Sequence, residues 1–323
     1  PLHYACYEGH LSIVQWLHSA SVSINATNTD GQTPLHSACY GGYLDVAQWL
    51  HSAGASLDAT TNKGQAPLHS ACSWGHLDVA QWLHSVGASL DTTNNNGQAP
   101  LHSACSLGHL NVAQWLHSVG ASLDATNDEG DTPLHDACSA GELDIARWLH
   151  SMGASLDDTD MAGRTPLHCA GSAGDFDVAQ WLCSAGASLD TTDDEGYTPL
   201  HAACSEGVLD VAQLLHGAGA SLDATHTRGD TPLHRACFEG HLGIAQWLHS
   251  AGVSVNATNT DEETPLHKAC MRGHFDIAQW LHSAGASLDA INDVEDTPLH
   301  LACSEGHLDV ARWLHSAGAS LDA

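Results

Sequence analysis

Apolar positions along the chain follow one template, which recurs every 33 residues without insertion or deletion. In the third copy Leu68, Ala71 and Cys72 fall at i, i+3 and i+4 behind Pro67. That spacing predicts a short helix with one buried face, opened by a proline at the first turn, where a missing N–H is harmless. Gly75 supplies a residue free to adopt positive φ and ends it. Val79, Trp82, Leu83 and Val86 then recur at i, i+3, i+4 and i+7. They predict a second amphipathic helix starting near Leu77, with Asp78 at the positive end of its dipole and Gly87 as its stop. A link of a few residues makes the two helices antiparallel. The polar stretch from Ala88 to Gly97, with Asn94, Asn95 and Asn96, predicts a projecting loop.

All ten prolines, from Pro1 to Pro298, hold one position of this template. A fixed period of this size indicates a linear stack whose units bury their apolar faces against neighbours. Thr33, Thr132, Thr165, Thr198, Thr231, Thr264 and Thr297 precede the proline and are expected to cap the first helix with their hydroxyls. Ala66 and Ala99 lack that hydroxyl, which should weaken those helix starts by ~1 kcal/mol each.

Gly, Thr-Pro-Leu-His, Ala, Gly-His-Leu and Gly-Ala at these spacings resemble the ankyrin repeat over the whole chain. The resemblance implies an all-α repeat solenoid, an ankyrin-repeat stack of antiparallel helix pairs with projecting β-hairpin-like loops. It is expected to form one continuous domain of ten repeats, about 1–29, 30–62, 63–95, 96–128, 129–161, 162–194, 195–227, 228–260, 261–293 and 294–323. At about 10 Å per helix layer the rod would measure roughly 100 Å. The resemblance further implies that each Thr-Pro-Leu-His imidazole links its own threonine hydroxyl to the backbone of the neighbouring loop. It implies a non-catalytic protein-protein interaction scaffold, binding through the concave helix face and the loop tips. The alternative is a targeting or regulatory segment of a larger enzyme, channel or ubiquitin-ligase adaptor. Hydroxylation of Asn25 and Asn256 is a minor family-derived expectation, because most copies carry Asp there.

Eight Lys and Arg against 38 Asp and Glu give a formal charge of −30, which disfavours nucleic acid and anionic membrane surfaces and favours a protein partner with a basic surface. Protonation of all 26 histidines would offset most of that charge without reversing it. No signal-like segment opens the chain and no run of 18 apolar residues occurs, so membrane insertion is not expected. The start at Pro1 and end at Ala323 read as a segment of something longer, or as a monomeric array. Nine cysteines hold one helical position, and neighbouring copies about 10 Å apart exceed the ~7 Å limit for a disulfide. They read as buried thiols in a reducing compartment, cytoplasmic rather than nuclear. Cys169 and Cys183 lie off the pattern and are expected to be more exposed.

A second histidine series, His18, His51, His84, His117, His150, His216, His249, His282 and His315, ends the second helix. It reads as dipole-compensating, with a zinc-binding histidine ladder as a distant alternative. No cofactor is expected, and no nucleophile-base arrangement or phosphate loop points to catalysis.

Positions that differ among copies are free to meet a partner. Behind the first helix stand Tyr7, Tyr40, Trp74, Leu107, Phe238, Glu239, Met271 and Arg272, including the aromatic and Arg types that dominate interfaces; Tyr40, Trp74 and Leu107 would make one patch, and Phe238, Met271 and Arg272 another. In the loops Asp128, Glu129, Asp131, Asp194 and Glu195, with Tyr197, form the acidic middle of the array. Gly171, Leu214 and Gly217 depart from the template and mark repeats six and seven as the softest. Ser21, Glu262 and Glu295 replace glycines and predict strained turns.

Overall fold

The structure, a computed structural model, describes residues 1–321. The described residues form twenty α-helices and no strand. They divide into two compact units, Pro1–Ser155 and Leu156–Ala323.

Within each unit the helices alternate as the periodicity predicts. In the first, Pro67–Ser73 is followed by Leu77–Ser85, and Pro100–Ser106 by Leu110–Ser118. In the second, Pro199–Glu206 is followed by Leu209–Ala218, and Pro232–Glu239 by Leu242–Ser250. Internal helix pairs contribute recurring positions to the core, such as Leu68, Ala71, Cys72, Val79, Ala80 and Leu83, all buried. Burying each of the larger aliphatic side chains among them contributes roughly 1.5–3 kcal/mol. Small Ala and Cys on the first helices allow those helices to lie against one another from repeat to repeat.

The Thr-Pro-Leu-His histidines tie local capping to stacking. His36 Nδ1 accepts from the Thr33 backbone N–H at 3.1 Å and lies 2.9 Å from the Thr33 hydroxyl. Its Nδ1 is therefore the unprotonated nitrogen, and Nε2–H donates to the Gln65 carbonyl of the next loop at 2.9 Å. The same bridge joins His69 to Gln98, His168 to Tyr197 and His234 to Glu263. Here the expected threonine cap is modified. Among the described residues only the Thr198 and Thr297 hydroxyls accept from a first-turn N–H, both at 3.4 Å, and elsewhere, as at Thr33 and Thr132, the hydroxyl reaches the helix through the imidazole. Ala66 and Ala99 retain the backbone-to-imidazole bond at 3.2 Å and lack only the hydroxyl.

The projecting loops are hydrogen-bonded turns without strands. Asn94 Oδ1 accepts from the N–H groups of Asn96 and Gln98, and the Asn95 N–H donates to the Lys63 carbonyl of the preceding loop. The tips thus zip together along each unit. Ser21, Glu262 and Glu295 adopt φ of 68°, 59° and 68°, the left-handed conformation expected where glycine is replaced.

Gly171 does not interrupt its helix, which runs Pro166–Ala173. A Cβ at that position would meet the Pro199 carbonyl oxygen at 3.0 Å, so the missing side chain admits the neighbouring helix. Cys169 is buried, contrary to expectation, and Cys183 is half-buried. Cys303 is the exposed thiol, because among the described residues no further helix pair covers its face.

Candidate protein-binding surfaces

The two histidine series do not converge on a metal. No cluster of three or more His, Cys, Asp or Glu with metal-binding geometry occurs among the described residues. Second-series imidazoles instead pack against the tryptophan of the next repeat, edge to face: His18 on Trp49 at 5.5 Å, His84 on Trp115 at 5.9 Å, and His249 on Trp280 at 5.9 Å between ring centroids. These tryptophans recur at one position of the second helix, from Trp16 to Trp313, and stacking makes them the partners of the second histidine series. Cys183 and Leu214, which depart from His and Trp, are the two residues that would have formed this pair at one junction.

A third set also binds across repeats. His76, His241, His274 and His307 donate Nε2–H to carbonyls 36 residues earlier, at 2.8–3.0 Å. Each ring fills the space left by a glycine such as Gly42 or Gly240.

Burial pushes the thiols of Cys39, Cys72, Cys105, Cys204, Cys237 and Cys270 up, and that of Cys6 to about 12, which disfavours a thiolate nucleophile at these buried positions.

In the first unit, three of the candidate contact residues behind the first helices form a ladder. The Tyr7 and Tyr40 ring centroids lie 5.2 Å apart and those of Tyr40 and Trp74 4.1 Å. Trp74 remains 49% exposed and Leu107 52%, so the ladder presents aromatic faces to solvent while its members brace one another.

Asp128, Glu129 and Asp131 lie in the same unit. With Asn127 and Gln98 they line a pocket of about 300 Å³ whose floor includes Asp136, a residue not singled out from sequence. Asp136 Oδ2 is a buried oxygen without a hydrogen-bond partner. Burial first, then the neighbouring Asp131 and Glu129 charges, push its carboxyl up to about 8.

In the second unit Phe238, Met271, Glu195 and Tyr197 come together around a cleft of about 600 Å³. The Arg235 guanidinium lies between the Tyr197 and Phe238 rings, 5.2 Å from each centroid, and Arg272 lies 4.7 Å above Phe238. Glu239, predicted to face a partner, is paired with Arg235 at 2.7 Å. Below them the buried Lys268 ammonium binds Glu263 and lies 3.4 Å from Asp230, whose carboxylate also accepts from Asn259. Asp194 is exposed at a loop tip, its N–H on the Ala162 carbonyl. Arg235 and Lys268 were missed as site residues. Both are the residue directly after Thr-Pro-Leu-His, and so is Asp136, a coincidence of charge visible in the sequence.

Two antiparallel helices and a projecting turn, reiterated and locked by a Thr-His bridge to the next turn, define a repeat solenoid. The family model for ankyrin repeats matches residues 2–94, 42–127, 84–160, 101–193, 167–259 and 233–323, and the chain belongs to the ankyrin repeat family. No curated protein matches it. Ankyrin repeats are generally protein-interaction modules and typically non-catalytic. No described helix is long and apolar enough to cross a membrane.

Proposed function

We propose that this chain is a protein-binding scaffold that engages its partner through the Tyr7–Tyr40–Trp74 ladder and the neighbouring acidic loop tips. The observation behind this reading is the ladder itself. A monomer gains little from holding Trp74 half exposed against Tyr40, whereas braced aromatic faces lose little side-chain freedom when a partner covers them. Leu107 extends the apolar strip. Asp128, Glu129 and Asp131 favour a partner with basic residues and would accelerate its approach. Phe238, Met271 and Arg272 in the second unit, with Glu195, Tyr197 and Asp194, form a further contact patch in this reading.

Selection from a displayed peptide library, followed by calorimetric titration of the selected peptides, tests it. Tyr40→Ala with Trp74→Ala should weaken them by about 100-fold, the loss of two interface anchors at about 1.4 kcal/mol each. Undiminished affinity in the double variant would remove the ladder from the interface.

A further inference from the structure

The pocket over Asp136 differs from its counterparts in the second unit by the absence of a cation. Lys268 stands directly after Thr264-Pro265-Leu266-His267, as Asp136 stands after Thr132-Pro133-Leu134-His135. The Lys268 ammonium binds Glu263, the residue before its own threonine, and lies 3.4 Å from Asp230, the corresponding residue one repeat earlier. In the first unit those two places are held by Asp131 and Gln98, and both line the pocket with Asp136. Asp131 is engaged by the Asn127 amide at 3.1 Å. The buried Asp136 Oδ2 has no partner, and no Lys or Arg lines the pocket. A buried carboxyl oxygen left without a partner is costly, and burial favours its protonated form while the pocket is empty; a cation that reaches it stabilises the ionised form and recovers that cost.

We propose that this pocket receives a single Lys or Arg side chain from the bound protein, whose charged end takes the place that Lys268 fills internally in the second unit. The inference rests on the reading of the chain as a protein-binding scaffold and assigns to Asp136 the recognition of one basic residue. The pocket, at about 300 Å³, has room for a guanidinium with part of its stem. Asp128 and Glu129 at the rim draw the cation in, and Asp136 and Asp131 hold it by charge-assisted hydrogen bonds. Partners with a neutral isostere at this point would leave the carboxyl unpaired, so the pocket selects as well as attracts.

N-acetyl-arginine methylamide and N-acetyl-lysine methylamide, titrated at constant ionic strength into the intact chain, are direct probes. Amide resonances of Gln98, Asn127 and Asp131 should shift saturably, with millimolar affinity. Asp136→Asn should weaken this at least tenfold while leaving thermal stability equal or higher, and Asp136→Lys should abolish it by filling the pocket from within. The Tyr40→Ala, Trp74→Ala double variant should bind both probes as wild type does, so failure of the ladder and failure of the pocket are separable. Shifts absent up to saturation of the probes, or unchanged in the folded Asp136→Asn and Asp136→Lys variants, would overturn the assignment. Shifts reproduced by sodium ion alone would overturn it as well.

Discussion

Acidification should loosen the stack at the Thr-Pro-Leu-His bridges, and His201 allows the size of the effect to be worked out. Its ring is fully buried, with Nδ1 on the Thr198 N–H at 3.2 Å and Nε2–H on the Asp230 carbonyl at 3.2 Å. A second proton would sit on Nδ1, which already accepts that N–H, so the bond to the helix start would be lost. Desolvation, with smaller contributions from nearby His226 and Arg235, lowers its pKa from 6.5 to about 4, against the opposing pull of the Asp230 carbonyl and carboxylate. A base held neutral by folding contributes stability that is complete above its unfolded pKa and is lost as pH falls toward the folded one. The interval corresponds to about 3 kcal/mol, of which about 2 kcal/mol is gone by pH 5. The same direction holds for His36, His69, His102, His168, His234 and His267. Relief of repulsion among 38 carboxylates acts oppositely, so the comparison must be internal to one site. Amide exchange in the helix Pro199–Glu206, corrected for its intrinsic pH dependence, should be measured for wild type and His201→Gln at pH 7 and pH 5. The protection gap between them should narrow by about 2 kcal/mol at the lower pH. An unchanged gap, or a His201 ring signal titrating near 6.5 in the folded chain, would refute the argument.

Other outcomes follow from specific contacts. Lys268→Met should destabilise the second unit by about 3–5 kcal/mol, because it strands Glu263 and Asp230 in a buried setting; urea denaturation measures it. Cys183→His combined with Leu214→Trp should stabilise more than the sum of the single changes, by about 0.5–1.5 kcal/mol in a double-mutant cycle, because only the pair restores the imidazole-indole contact made at other junctions. Thiol labelling of the native chain should modify Cys303 first and Cys183 more slowly, with Cys39, Cys72, Cys204 and Cys237 reacting only on unfolding, as read by peptide mass.

Much of the candidate surface was legible once repetition separated constant from variable positions. Tyr7 and Tyr40 stand out as aromatics where most other copies carry Ser, and Trp74 as an aromatic where other copies carry Glu, Gly, Ala, Leu or Arg, and the three meet in space. Glu239 was less legible, since its engagement by Arg235 one helical turn earlier depends on rotamers that a sequence does not fix. Asp136 escaped notice because a single carboxylate at a variable helix position is unremarkable until its surroundings are known.

The sequence by itself determined the helix pairs, their order, the buried stripe and the family, because each rests on spacing within one copy and on a strict period. Only the tertiary structure decided what neighbouring copies do to one another. It turned the second histidine series and the tryptophan series into interlocked pairs, placed a third histidine set over glycines 34 residues earlier, and left Asp136 without the cation that Lys268 supplies elsewhere. Those contacts join residues about one repeat apart, and their energies depend on burial and on which partner is missing, quantities that arise only when the stack has formed.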